Sequence, residues 1–173
     1  MSTSLEKFYK LKAFYPEIMS IRNFSLEKFK TIYDKVKDIE SDNSLCVKYE
    51  NNKELKYVAL SLILRLKKFK SVKFLNAYEL IDIYLGNVEE YKTIFDLKQD
   101  IILVYFTGTE FENRRQDDIV IQLGENLLTN NRHLWILTTV NIQQKYLALH
   151  EWLKQNEIET ITLGQKRMEI EEI

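Results

Sequence analysis

Residues 45–69, LCVKYENNKELKYVALSLILRLKKF, decide the fold. The stretch opens on Leu45, Cys46 and Val47 and runs to Tyr49, a short apolar segment of strand length. Polar residues 50–57, ENNKELKY, form a connection. From 58 to 69 apolar residues fall on most faces of a helical wheel, which predicts a well-buried helix. Strand, short loop and helix make the first unit of an α/β fold.

The rest of the chain repeats that unit. SVKFLNA (71–77) reads as a strand with Val72 and Phe74 alternating against Ser71 and Lys73. YELIDIYLG reads as a helix ending at Gly86. NVEEYKTIFDLKQ is polar and helical in part. IILVYF (101–106) is the most continuous apolar run, and such a run without alternation fits a strand buried on both faces. A helix over 116–128, a strand HLWILTT (133–139), a helix over 143–155 and a strand IETITL (158–163) follow. This alternation predicts a three-layer α/β sandwich with a mainly parallel sheet. Before it, Ser25 stands as N-cap to a helix with an apolar stripe of Leu26, Phe29, Ile32, Tyr33 and Val36. Residues 1–15 read as an opening helix closed by Pro16. The expected organisation is a helical segment, 1–43, packed on or leading into an α/β core, 44–173.

A chain of 173 residues, 45% hydrophobic and 29% charged, suits one globular domain with a sizeable core. A formal net charge of -1 gives no global pull toward nucleic acid or membrane. No apolar run approaches the ~20 residues that span a bilayer. MSTSLEKFYK has no apolar core of a signal peptide. The single cysteine, Cys46, lies in an apolar run and reads as a buried, inert thiol. These features fit a reducing, cytoplasmic setting. His133 and His150 lack metal-ligand spacing, so no zinc site is expected. In EFENRRQDD, the acids Glu110, Glu112, Asp117 and Asp118 read as a solvated loop and first helical turn, where acids suit the helix dipole.

In open α/β sheets, ligands bind at the carboxyl ends of the strands. The first strand-loop-helix unit is where a phosphate-binding loop would sit, and Lys56 occupies the lysine position. Glycine is scarce, and Gly86, Gly108, Gly124 and Gly164 all fall after the loop. The order of pieces resembles the AAA+ domain of bacterial and phage replicative-helicase loaders, which are P-loop ATPases. RNFSLEKFKTIYDKVKDI looks like the segment leading into that domain. VALSLILRLKKFKSVKFLNAYELID looks like the helix after the phosphate loop with the next strand and helix. DIILVYFTGTE is similar to the family's Walker B region, and LLTNNRHLWILTTVN to the helix and sensor strand that end in Thr-Thr-Asn. The resemblance covers most of the chain and implies a five-stranded sheet of order 5-1-4-3-2.

The departures fall where the chemistry would be. With Lys56 on the lysine of G-x-x-x-x-G-K-[ST], Glu50 and Leu55 stand on the two glycines and Tyr57 on the Ser/Thr. Glu50 brings negative charge toward a polyphosphate. Leu55 puts a Cβ where backbone must approach phosphate. Tyr57 replaces a small hydroxyl that would hold Mg²⁺. The acidic pair of Walker B falls on Tyr105 and Phe106. Val140 separates Thr139 from Asn141 in the sensor motif. The implied chain is a degenerate member without catalytic residues, metal or cofactor, a pseudo-ATPase that works by protein contact in DNA replication. Its expected partner is a helicase loader, a replicative helicase or its own copies. The family's arginine finger has no counterpart that Arg114, Arg115 or Arg167 can be given.

Two further surfaces stand out. RLKKFK offers Arg65, Lys67, Lys68 and Lys70 beside aromatic and apolar residues, the composition of a nucleic-acid contact. In the opening stretch Phe8, Leu11, Phe14 and Tyr15 form an apolar stripe that could enter a partner's groove. These keep two alternatives open, a DNA-binding replication accessory protein and an ATP-binding loader with an unorthodox phosphate loop. A third is an α/β architecture shared without the function.

Overall fold

The computed structural model describes residues 25–37, 39, 43–49, 54–67, 71–106 and 117–163. The opening stripe of Phe8, Leu11, Phe14 and Tyr15 lies outside these residues. So do Glu50, Lys68, Lys70, the Gly108-Thr109-Glu110 run, Arg114, Arg115 and Arg167.

The elements run α1 (Leu26–Val36), β1 (Leu45–Tyr49), α2 (Leu55–Lys67), β2 (Val72–Asn76), α3 (Ala77–Tyr84), a short 3-10 turn (Ile94–Asp96), β3 (Ile101–Phe106), α4 (Asp117–Thr129), β4 (His133–Thr138), α5 (Ile142–Lys145), α6 (Leu147–Gln155) and β5 (Thr160–Leu163). The five strands form one sheet in the order β2-β3-β4-β1-β5. Read from the other edge, this is the expected 5-1-4-3-2, and every neighbouring pair is parallel. The α/β sandwich of P-loop NTPase type is thus the observed fold.

Strand residues alternate between the two faces because successive side chains point oppositely. Leu45, Val47, Leu103, Trp135 and Leu137 face α1 and α2. Cys46, Ile102, Val104, Leu134 and Ile136 face the layer of α3, α4 and α6. Full burial of each such side chain stabilises the fold by roughly 1.5–3 kcal/mol. In the second layer α4 and α6 approach closely because residue 124 is glycine. A Cβ there would lie 2.2 Å from a ring carbon of Trp152. That indole is held in turn by donating its N–H to Glu125 Oε1 at 2.6 Å.

The structure moves several boundaries. α2 begins at Leu55, one turn before the expected 58, because Leu55 and Tyr57 are buried with Val58, Leu62 and Leu66. The expected helix over 143–155 is two helices, broken at Tyr146 (φ -130, ψ 72). The break lets the Tyr146 ring pack edge-on against Phe106, 5.8 Å between centroids. In the polar stretch 87–99 only the turn Ile94–Asp96 is helical. β2 does not alternate cleanly, since Lys73 and Phe74 are both half-buried. Ser25 caps α1 as expected, accepting from the Lys28 N–H at 3.2 Å. Phe29, Ile32 and Val36 of α1 are buried against α2.

Candidate functional site at the carboxyl edge of the sheet

β1 and β4 are neighbours whose chains leave toward opposite layers. β1 leads into α2 on one face, and β4 leads through α5 into α6 on the other. This divergence is the switch point at which open α/β sheets bind ligands. Around it stand Tyr49, the first turn of α2, Phe106 and Thr138.

Leu55 is 1% exposed and Tyr57 5% exposed, both packed into the layer of α1 and α2. The Tyr57 hydroxyl accepts the backbone N–H of Ser25 at 2.8 Å, tying the start of α2 to the cap of α1. Its carbonyl accepts the Ser61 hydroxyl at 2.8 Å. Lys56, between them, is exposed in the first turn of α2, which contains no acidic residue. Just before that turn the Tyr49 hydroxyl donates to Glu54. Burial first, and then this carboxylate, hold the phenol above its ordinary pKa.

At the end of β3, Phe106 is 0% exposed, and half-buried Tyr105 stacks on Phe74 with centroids 6.1 Å apart. Neither position presents a carboxylate. The side chains at 55, 57, 105 and 106 therefore do not fit a nucleotide with its magnesium ion: two are aliphatic or aromatic core, one is a stacked phenol and one a phenol holding α1. At the end of β4, Thr138 is buried and accepts the Val140 N–H through its hydroxyl at 3.0 Å. Half-buried Val140 packs on the adjacent layer. Asn141 turns away to cap α5, accepting from the Gln144 N–H at 3.2 Å. Asn76 ends β2 and caps α3.

The basic stretch is not presented as a unit. Arg65 is 7% exposed, donates to the Ile39 carbonyl and lies 5.7 Å from the Trp135 ring centroid. Its role is to tie α2 to the chain after α1, and it leaves the nucleic-acid set. Lys67 closes α2, its side chain lying outside the description together with Lys68 and Lys70. Of the acidic run, Asp118 is exposed at the start of α4, whereas Asp117 is buried. Burial and the adjacent Asp118 raise the Asp117 pKa, while the Leu149 N–H in the first turn of α6 opposes the rise. The N-cap of α6, Tyr146, supplies no side-chain bond.

Cys46 is buried, and burial pushes its thiol up to about 12, as an inert core cysteine requires. His133 Nδ1 lies 3.4 Å from the Ser44 hydroxyl at the opposite end of the sheet, and His150 lies on α6. Among the described residues no cluster of three or more His, Cys, Asp or Glu could hold a metal ion. Among them too, no helix is long and apolar enough to cross a membrane. The Tyr57–Ser25 link was not visible from spacing, since it joins segments distant in sequence.

No protein-family model matches the chain, and no curated protein does. Solved structures do. The replication initiator DnaA bound to AMPPCP and single-stranded DNA aligns with a TM-score of 0.56 at 9% identity, over 82% of this chain and 46% of that one. AMPPCP-bound DnaA from Aquifex aeolicus aligns with a TM-score of 0.53 at 8% identity, over 83% and 48%. The chain spans just under half the length of each. At such identity the likeness is one of fold: this chain has the P-loop NTPase-like α/β fold that the two initiators also have.

Proposed function

We propose that the chain is a degenerate relative of the replicative-helicase loaders that acts without catalysis, by protein contact, in DNA replication. One observation carries the reading. The positions that the loader family gives to phosphate and magnesium ligands are here the packed side chains Leu55, Tyr57 and Phe106. Loss of ligands alone would leave polar substitutes or a gap. Instead each position has become part of the core or of the α1–α2 junction, while the sheet order is retained. The fold likeness to replication initiators supports the replication setting.

A domain that keeps this fold and lacks the pocket would bind a loader, a helicase or its own copies, in the cytoplasm, and alter their assembly. The test is reconstituted loading of a replicative helicase onto DNA by its loader, with and without this chain, alongside an ATPase assay of the chain alone. The reading predicts altered loading and no ATP hydrolysis by the chain. Hydrolysis by the chain itself would overturn it.

The structure bound to single-stranded DNA favours a second reading, a DNA-binding accessory protein. Its remaining basic candidates are Lys67, Lys68 and Lys70. Salt-dependent binding of single-stranded DNA that is lost when these three become alanine would establish it.

A further inference from the structure

The two edges of the sheet are finished differently. β2 carries Lys73 inside the strand, and α2 and α3 pack against it. A charge on an edge strand and cover from helices guard against pairing with another chain. β5 has no such charge and little cover. Its residues are Thr160, Ile161, Thr162 and Leu163, without glycine or proline. Thr160 and Thr162 are exposed, and Ile161 and Leu163 are only half-buried, against the layer of α1 and α2.

The register fixes where the backbone groups of β5 point. The Glu159 carbonyl accepts the Cys46 N–H at 2.9 Å and so faces β1. Backbone groups of successive strand residues point to alternate sides. Ile161 therefore faces β1, its register partner being Val47, while Thr160 and Thr162 turn their N–H and C=O groups outward. Among the described residues no strand pairs with β5 on that outer side. An open row of this kind is complementary to another extended strand.

Every copy of the chain carries such a strand, and charge sets how two of them can meet. Glu157 and Glu159 are exposed at the start of β5. A second β5 laid parallel would bring these acids against their counterparts, whereas an antiparallel one carries them to opposite ends. We infer that two copies pair their β5 strands antiparallel across a two-fold axis, joining two five-stranded sheets into one. In the register that matches the outward groups, Thr160 of each copy faces Thr162 of the other, and the two exchange both N–H···O bonds. Ile161 then meets Ile161 on the axis, on the side of α1 and α2. Thr–Thr and β-branched apolar pairs are favourable cross-strand neighbours. The interface is isologous and closes at the dimer. The choice of a second copy rests on the protein-contact reading above; the open edge does not depend on the nucleotide pocket.

The test combines sedimentation velocity of the full chain over a range of concentrations with amide hydrogen exchange. The expected result is a reversible dimer in which exchange at the Thr160 and Thr162 amides slows as dimer forms. Thr162→Pro removes an outward N–H from each copy, a change that an edge strand tolerates, and should weaken the dimer about tenfold or more. Thr160→Lys combined with Thr162→Lys should weaken it too, because each lysine then faces a lysine, and so should the matching pair of glutamates. A mixture of the lysine and glutamate variants should associate again. That recovery requires the two edges to meet, which a general effect on folding would not produce. A monomer at every concentration would overturn the pairing, and so would a dimer that leaves the Thr160 and Thr162 amides unprotected. Protection that appears only when a helicase or its loader is added would replace the second copy by a foreign strand and overturn it as well. A monomer would leave the protein-contact reading open to other partners. ATP hydrolysis by the chain would overturn that reading and leave the edge pairing intact.

Discussion

At the β2–α3 junction, Asn76 ends the strand and accepts the Glu79 N–H at 2.9 Å, while the Glu79 carboxylate accepts the Asn76 N–H at 3.3 Å. The same helix closes at Gly86 (φ 79), where the Gly86 N–H reaches the Ile83 carbonyl and the Asn87 N–H reaches that of Asp82. At the β1–α2 junction, one step along the same sheet edge in connectivity, the first turn holds Leu55, Lys56 and Tyr57 and no acid. One junction is closed by polar side chains that satisfy backbone groups. The other is closed by burial and by a phenol that reaches across to α1. A helix start that must receive an anion leaves its N–H groups open and its side chains small. Here the side chains at 55 and 57 are large and inward, so the first turn of α2 has the construction of a packing joint.

Substitutions at the two junctions should therefore differ in size. The largest effect is expected at the end of β3. Phe106→Ala removes a fully buried ring and its edge contact with Tyr146, and should cost about 3–5 kcal/mol in denaturant unfolding. A loss below about 1 kcal/mol would mean that the residue is not core. Leu55→Ala should cost about 2–5 kcal/mol by the same measurement. A neutral or stabilising result would show that position to be free to serve a ligand. Tyr57→Phe keeps the ring and strands the Ser25 N–H, and should cost about 1–3 kcal/mol. Its hydrogen-exchange signature should be faster exchange at the start of α1, with the sheet unaffected. At the polar junction Asn76→Ala should cost about 0.5–2 kcal/mol, the usual range for a lost cap. If Asn76→Ala proves costlier than Leu55→Ala, the contrast between the junctions fails.

The fold was legible because burial on both faces makes strands such as Ile101–Phe106 and His133–Thr138 read as continuous apolar runs. Scarce glycine and proline left few false breaks, and the strand order was what the loader resemblance implied. Legibility ended where tertiary contacts override local pattern. Tyr146 interrupts a periodic helix because its ring is needed against Phe106, a residue forty positions earlier. Arg65 looked like part of a basic surface until Trp135 and the Ile39 carbonyl claimed its guanidinium. That Leu55, Tyr57 and Phe106 depart from the loader pattern could be read from sequence. What could not be read was that each had been absorbed into packing.

Lys56 holds the lysine position of a phosphate loop in the first turn of α2. A lysine in the first turn of a helix is slightly unfavourable unless an anion is present. Lys56→Ala should therefore leave stability within about 0.5 kcal/mol of the parent. The most direct test of the account is calorimetric titration of the full chain and of Lys56→Ala with ATP and with ADP, with and without Mg²⁺. The account predicts no heat from either protein up to millimolar nucleotide. Micromolar binding by the parent that disappears in Lys56→Ala would contradict it, and would make the β1–α2 junction a working nucleotide site of unusual sequence.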